Sequence, residues 1–60
     1  MFIEVTDSQT GARVSVNPNH ICTMFDAGDK TIIRTIDGHD LWTVESYTEV
    51  LKKINEKFEK

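Results

Sequence analysis

Two arginines and two aromatic residues are the side chains best suited to hold a small anionic ligand. Arg13 and Arg34 lie in apolar, strand-like stretches, where a guanidinium gains from an anionic partner. Trp42 and Tyr47 offer flat faces for stacking, and Thr43 adds a hydroxyl donor. This combination suits a phosphate-bearing aromatic ligand such as a nucleotide. We therefore take Arg13, Arg34, Trp42, Thr43 and Tyr47 as candidate ligand-binding residues.

The same residues have a structural interpretation that stays open. An arginine in mid-strand can lie along the sheet and pair with Asp40 or Glu4. Trp42 can pack beneath a helix instead of meeting a ligand. A ligand pocket would require arginines from two copies of the chain to meet at a shared surface, with Trp42 or Tyr47 as its wall.

No residue pattern indicates catalysis or a cofactor. Ser, His and Asp occur without the local signature of an activated nucleophile, and the three glycines are isolated, so they form no phosphate-binding loop. Cys22, His20 and His39 are the soft metal ligands, and they lack zinc-site spacing. We predict that the chain is not an enzyme and uses no metal or cofactor.

Length and charge exclude several classes of protein. Sixty residues with one cysteine make a single small domain, residues 1–60, without an internal disulfide. Residues 1–45 carry seven acidic against three basic side chains, which does not suit binding to duplex nucleic acid. The sequence has neither an apolar run of membrane-spanning length nor an export signal. The expected location is the bacterial cytoplasm, with no membrane partner.

Alternating and turn-forming residues predict five strands between about residues 2 and 44. The period then changes to 3.6, and Ser46-Tyr-Thr-Glu49 fits a helix capping box. The predicted helix covers about residues 46–59, and its apolar stripe comprises Tyr47, Val50, Leu51, Ile54 and Phe58. The expected fold class is α+β: an antiparallel five-stranded β-meander followed by one C-terminal amphipathic helix.

The turn at Asp37-Gly38 predicts an apolar excess. If these two residues form the loop, with positive φ at both, the hairpin pairs Ile36 with His39, Arg34 with Leu41, Ile33 with Trp42 and Ile32 with Thr43. One face then carries Ile32, Ile36 and Leu41, and the other carries Ile33, Trp42 and Val44. A single helix covers one face only. We expect a dimer or higher oligomer, with Ile32, Ile36 and Leu41 at its interface.

Several of these features recur in a known family. Val16-Asn17 with Ile21, the pair Ile32-Ile33, the Asp37-Gly38 turn, and Trp42-Thr-Val-x-Ser46 leading into Val50-Leu51 and Ile54 resemble the FlbD-like family. These small bacterial proteins are encoded among flagellar genes and look similar to short phage proteins. The resemblance covers Val14 to Ile54, rests on structural motifs (turn, cap and apolar stripe) and brings no catalytic motif.

Two functional hypotheses follow. The first is a homo-oligomeric, non-catalytic binding protein, in its sharper form a phage-type sponge that sequesters a nucleotide-like ligand at subunit interfaces. The alternative is a protein–protein adaptor of the flagellar type, without a small-molecule ligand. Oligomer number, ligand identity and host or phage origin stay open.

Overall fold

The computed structural model describes residues 1–58 and side chains as far as Lys57. Its strands are β1 Ile3–Thr6, β2 Arg13–Val16, β3 Ile21–Asp26, β4 Thr31–Thr35 and β5 Asp40–Thr43, and its α-helix is α1 Tyr47–Phe58. A 3₁₀ turn, Pro18–His20, separates β2 from β3. The predicted order of five strands and one helix is confirmed. The predicted helix end at 59 and the Phe58 side chain lie outside the described residues.

The strands form two antiparallel sheets, so the prediction of one five-stranded meander is wrong. One sheet has the order β1-β2 and the other the order β3-β4-β5. A meander would require β2 to pair with β3, but the chain turns away between them. Pro18 is buried there, and the Asn17 side chain accepts a hydrogen bond from the Asn19 amide. This compact turn redirects β3 into a separate sheet.

The two sheets meet where β1 ends beside β5. An isolated bridge pairs Asp7 with Thr43. Backbone hydrogen bonds flank it, because the Ser8 amide donates to the Trp42 carbonyl and the Val44 amide donates to the Thr6 carbonyl. The sheets are thus joined at one corner and diverge away from it.

The β4–β5 hairpin has a register one residue away from the predicted one. The Thr35 amide donates to the His39 carbonyl, and the Gly38 amide donates to the Thr35 carbonyl, which leaves a three-residue loop. Gly38 has φ +89°, while Asp37, like every other non-glycine among the described residues, has a negative φ. A tight turn followed by one left-handed glycine closes such loops. Ile33 consequently pairs with Leu41, and Ile32 with Trp42.

This one-residue shift redistributes the apolar side chains, because neighbouring strand positions point to opposite faces. Ile33 is fully buried, and Leu41 packs against the core beside it. Ile32 and Trp42 instead share the outer face of the three-stranded sheet. Ile36, in the loop, is 67% exposed. The predicted interface set Ile32, Ile36 and Leu41 therefore does not share a face.

The core lies between the two sheets and helix α1. Its buried members are Ile3, Val5, Val16, Ile33 and Val50. The Ser46 hydroxyl caps the helix by accepting a hydrogen bond from the Glu49 amide at 3.2 Å, as predicted. Val50 and Ile54 of the predicted stripe face the core, whereas Leu51 is 38% exposed. The helix packs against β1 and β3, so it leaves the side between β2 and β5 uncovered.

Candidate binding surfaces

An apolar groove opens on the side that the helix leaves uncovered. It has a volume of about 680 Å³ and runs between β2 and the β4–β5 hairpin. Its apolar wall comprises Phe2, Val14, Val16, Ile36 and Leu41. Consecutive residues from Val14 to Asn17 line it, so the edge of β2 as well as one of its faces borders the groove. This volume is within the range of pockets that bind ligands or peptide side chains.

The polar residues around the groove give it an acidic character. Asp37 and Asp40 line it, together with His20 and His39, and no lysine or arginine does, but Arg34 of the outer face neutralises Asp40, so the acidic character comes from Asp37. The pKa of Asp37 lies below its ordinary value, because its carboxylate accepts hydrogen bonds from the Thr35 hydroxyl and from His39. Asp37 is therefore a carboxylate at neutral pH and contributes a negative charge at the hairpin tip.

A second apolar surface lies on the outer face of the three-stranded sheet. Phe25, Ile32 and Trp42 occupy directly paired positions on β3, β4 and β5. They form a row across the sheet, which we call the aromatic row. Phe25 is 40% exposed and Trp42 is 43% exposed. The prediction of a surplus apolar face thus holds in kind, but Ile32 and Trp42, predicted on opposite faces, share it with Phe25.

Arg34 lies beside the aromatic row and is paired with a carboxylate. Its Nε and Nη2 atoms donate to the two oxygens of Asp40 at 2.9 and 3.2 Å. The guanidinium carbon lies 5.3 Å from the Phe25 ring centre, which is within cation–π range. The hydrogen bonds and charge of Asp40 raise the pKa of Arg34, and those of Arg34 lower the pKa of Asp40. The structural interpretation of Arg34, pairing with Asp40, is confirmed.

The other predicted ligand-binding residues do not come together within one chain. Arg13 lies on β2 in the other sheet, and its Nη1 donates to Glu4 Oε1 at 3.0 Å. Thr43 is fully buried, and its hydroxyl is 3.2 Å from the carbonyl oxygens of Thr31 and Glu45. Tyr47 is half-buried at the start of α1. A pocket shared between copies of the chain stays a prediction.

Sequence reasoning named Ile36 and Leu41 of the groove and Ile32 and Trp42 of the aromatic row. It assigned no functional role to Phe2 at the groove or to Phe25 in the row. One signal could have found the aromatic row. A three-residue loop that ends in one left-handed glycine is as compatible with Asp37-Gly38 as the two-residue turn is. The register set by the three-residue loop places Ile32 opposite Trp42.

A comparison with family models supplies the relationship that the geometry alone does not. The model of FlbD, described as flagellar and swarming motility proteins, matches residues 2–60. The chain belongs to the FlbD family. The match extends beyond the segment Val14 to Ile54 that carries the resemblance, so the first strand and the residues after Ile54 are also part of the match. No curated protein and no solved structure matches the chain.

Two further structural findings apply to this FlbD-family chain. Within residues 1–58, no helix combines the length and the apolar character needed to cross a bilayer. The same part of the chain holds no cluster of three or more His, Cys, Asp or Glu side chains that could bind a metal ion. That the chain is not an enzyme, and where in the cell it acts, stay predictions.

Proposed function

We propose that this FlbD-family chain serves flagellar or swarming motility as a non-catalytic adaptor that binds a segment of another protein. The observation that carries the proposal is the apolar groove, which exposes the side of the core that α1 does not reach. Membership of a motility family supplies the process. The groove supplies the surface on which a partner would act.

The groove favours an extended, basic segment as its occupant. β2 pairs with β1 alone among the described strands, so the backbone groups on its other edge can accept an added strand. In an added strand, alternate side chains would enter the groove between Val14, Ile36 and Leu41. Cationic side chains in this segment would be attracted to the hairpin tip by Asp37, whose charge no lysine or arginine of the groove offsets.

The contacts of the two arginines do not favour the nucleotide-sponge hypothesis. That hypothesis requires free arginines beside an aromatic wall. Arg13 and Arg34 lie in different sheets, and each already pairs with a carboxylate of its own chain. No observation favours an anionic ligand over a protein segment at the acidic groove.

Site-specific photo-crosslinking in motile cells tests the adaptor proposal. A photoreactive phenylalanine replaces Ile36 at the groove, and a matched control replaces Leu51, an exposed apolar residue on the helix. We expect position 36 to give one dominant adduct with a segment that alternates apolar and basic residues, and position 51 to give none. A synthetic peptide of that segment should then slow hydrogen exchange of the β2 amides in the purified chain.

Two results would count against the proposal. The absence of an adduct at position 36 would remove the groove as a docking site. Equal adducts from positions 36 and 51 would show nonspecific contact instead of binding at the groove.

A further inference from the structure

The aromatic row is a separate surface, because none of its three residues lines the apolar groove. Phe25, Ile32 and Trp42 follow one another across the three-stranded sheet. Val44, directly after the end of β5, is a further exposed apolar residue, at 54%. Helix α1 packs against β1 and β3 on the core side, so it does not cover this row.

We propose that the aromatic row is the interface of a two-fold symmetric dimer, with a second copy of this chain as its occupant. This inference goes beyond the adaptor function and does not rest on the groove. It keeps the expected self-association but assigns it to Phe25, Ile32, Trp42 and Val44. Of the interface residues expected from the sequence, only Ile32 belongs to this set.

Charge on the outer face favours a second copy over a charged partner. The chain carries a net charge of −3, so two copies repel each other overall. On the outer face, however, Arg34 and Asp40 neutralise each other through two hydrogen bonds. Two acidic chains can meet at such a neutral face without juxtaposing like charges.

The geometry of the row suits an isologous contact. A two-fold axis parallel to β4 would place Ile32 against its own copy and bring Phe25 of each chain against Trp42 of the other. Aromatic pairs of this kind gain from offset or edge-to-face packing. The same surface thus complements itself, as a two-fold interface requires.

The exposed area indicates a weak dimer. A large aromatic side chain can bury about 150–250 Å², so the fractions exposed at Phe25, Trp42 and Val44 leave roughly 250 Å² of apolar surface on each copy. Stable interfaces bury about 800 Å² per partner, including a polar rim. The exposed apolar surface supplies about a third of this area, so we expect a weak dimer that dissociates at roughly 100 micromolar.

Sedimentation equilibrium and Trp42 fluorescence test the dimer together. Trp42 is the only tryptophan, so its emission reports directly on the proposed interface. On dilution the weight-average mass should fall toward the 6.9 kDa of one chain, and the emission should shift to longer wavelength over the same concentration range. Phe25→Thr and Trp42→Thr should each raise the dissociation constant at least about tenfold, because each removes half of an aromatic pair.

Ile36→Thr is the matched control, since it removes an exposed apolar side chain at the groove instead of the outer face. It should change the dissociation constant by less than about twofold, with far-UV circular dichroism verifying the fold of every variant. Two results would overturn the proposal: a mass of one chain at millimolar concentration, or a dimer that survives both Phe25→Thr and Trp42→Thr. A dimer lost in Ile36→Thr alone would also overturn it, by placing the interface at the groove.

Discussion

Glu45 connects three parts of the molecule through one residue. Its carboxylate oxygens accept hydrogen bonds from the amide and the hydroxyl of Thr6 at 2.8 and 2.9 Å. Its backbone carbonyl accepts from the buried hydroxyls of Thr31 and Thr43. The residue directly precedes the helix cap Ser46. Glu45 therefore ties β1, the β4–β5 hairpin and the start of α1 at the corner where the sheets meet.

The ionisation of Glu45 should make stability depend on pH. Partial burial raises the pKa of Glu45. Hydrogen bonds from Thr6 and from the Glu45 backbone, together with the charge of Lys53, lower the pKa by a larger amount, so it lies below its ordinary value of 4.5. A carboxyl with a lowered pKa in the folded state stabilises fully above its unfolded pKa, and this contribution is lost as the pH falls through the folded pKa.

We predict that Glu45→Gln lowers the free energy of unfolding by about 1–2 kcal/mol at pH 7, and that the deficit shrinks below about pH 4.5. Urea denaturation followed by Trp42 fluorescence at a series of pH values measures this difference. Asp37 and Asp40 also have lowered pKa values. Both are present in the parent and in Glu45→Gln, so their contributions largely cancel in the difference between the two free energies of unfolding. Glu56→Gln, at an exposed helix position, is the control and should stay within about 0.5 kcal/mol of the parent. A deficit that stays constant down to pH 3 would contradict this role of Glu45.

Residue-level chemistry was partly predictable from the sequence. An arginine in mid-strand beside isoleucines needs a partner, and Asp40 was one of the two acids expected for Arg34. The burial of Thr43 was not predictable, because it depends on the hairpin register and on the corner formed with β1. A hydroxyl that looked available for a ligand instead donates to backbone carbonyl oxygens inside the molecule.

At the element scale, Gly38 determines which side chains of the hairpin reach the core. Its φ of +89° allows the three-residue loop that places Ile33 opposite Leu41. A Cβ atom at Gly38 would meet no other atom within 4 Å. Substitution there consequently changes backbone strain without changing packing.

We predict that L-alanine at position 38 destabilises the fold by about 1 kcal/mol and that D-alanine does not, since D-residues favour positive φ. A chain of sixty residues is accessible to chemical synthesis, so both versions can be compared by thermal unfolding. Equal stability of the two alanine versions would contradict the left-handed conformation of Gly38.

The elements themselves followed from local signals, and their arrangement did not. Alternation located the strands, and the capping box located the start of the helix within one residue. The separation into two sheets depends on the Pro18 turn and on contacts between residues far apart in sequence, such as Asp7 with Thr43. The register was wrong because Asp37-Gly38 is compatible with loops of two and three residues, and the two loops place opposite side chains on each face.

At the scale of the whole molecule, one short helix covers only part of the apolar surface that two sheets present. The structure divides the remainder between the apolar groove and the aromatic row, on different sides of the β4–β5 hairpin. Strand alternation in the hairpin, set against a single helix, predicted this surplus but not its division. Two separate surfaces allow a small chain to bind a partner and a second copy at the same time, which suits an adaptor.

Rescue of swarming tests the adaptor account most directly. The parent chain, Ile36→Glu and Leu51→Glu are each expressed at equal level in cells that lack the gene. Both variants add one negative charge at an exposed apolar position, so both should fold, but only Ile36→Glu places a charged group in the apolar groove. The account predicts that the parent and Leu51→Glu restore swarming and that Ile36→Glu does not. Full rescue by Ile36→Glu would contradict it.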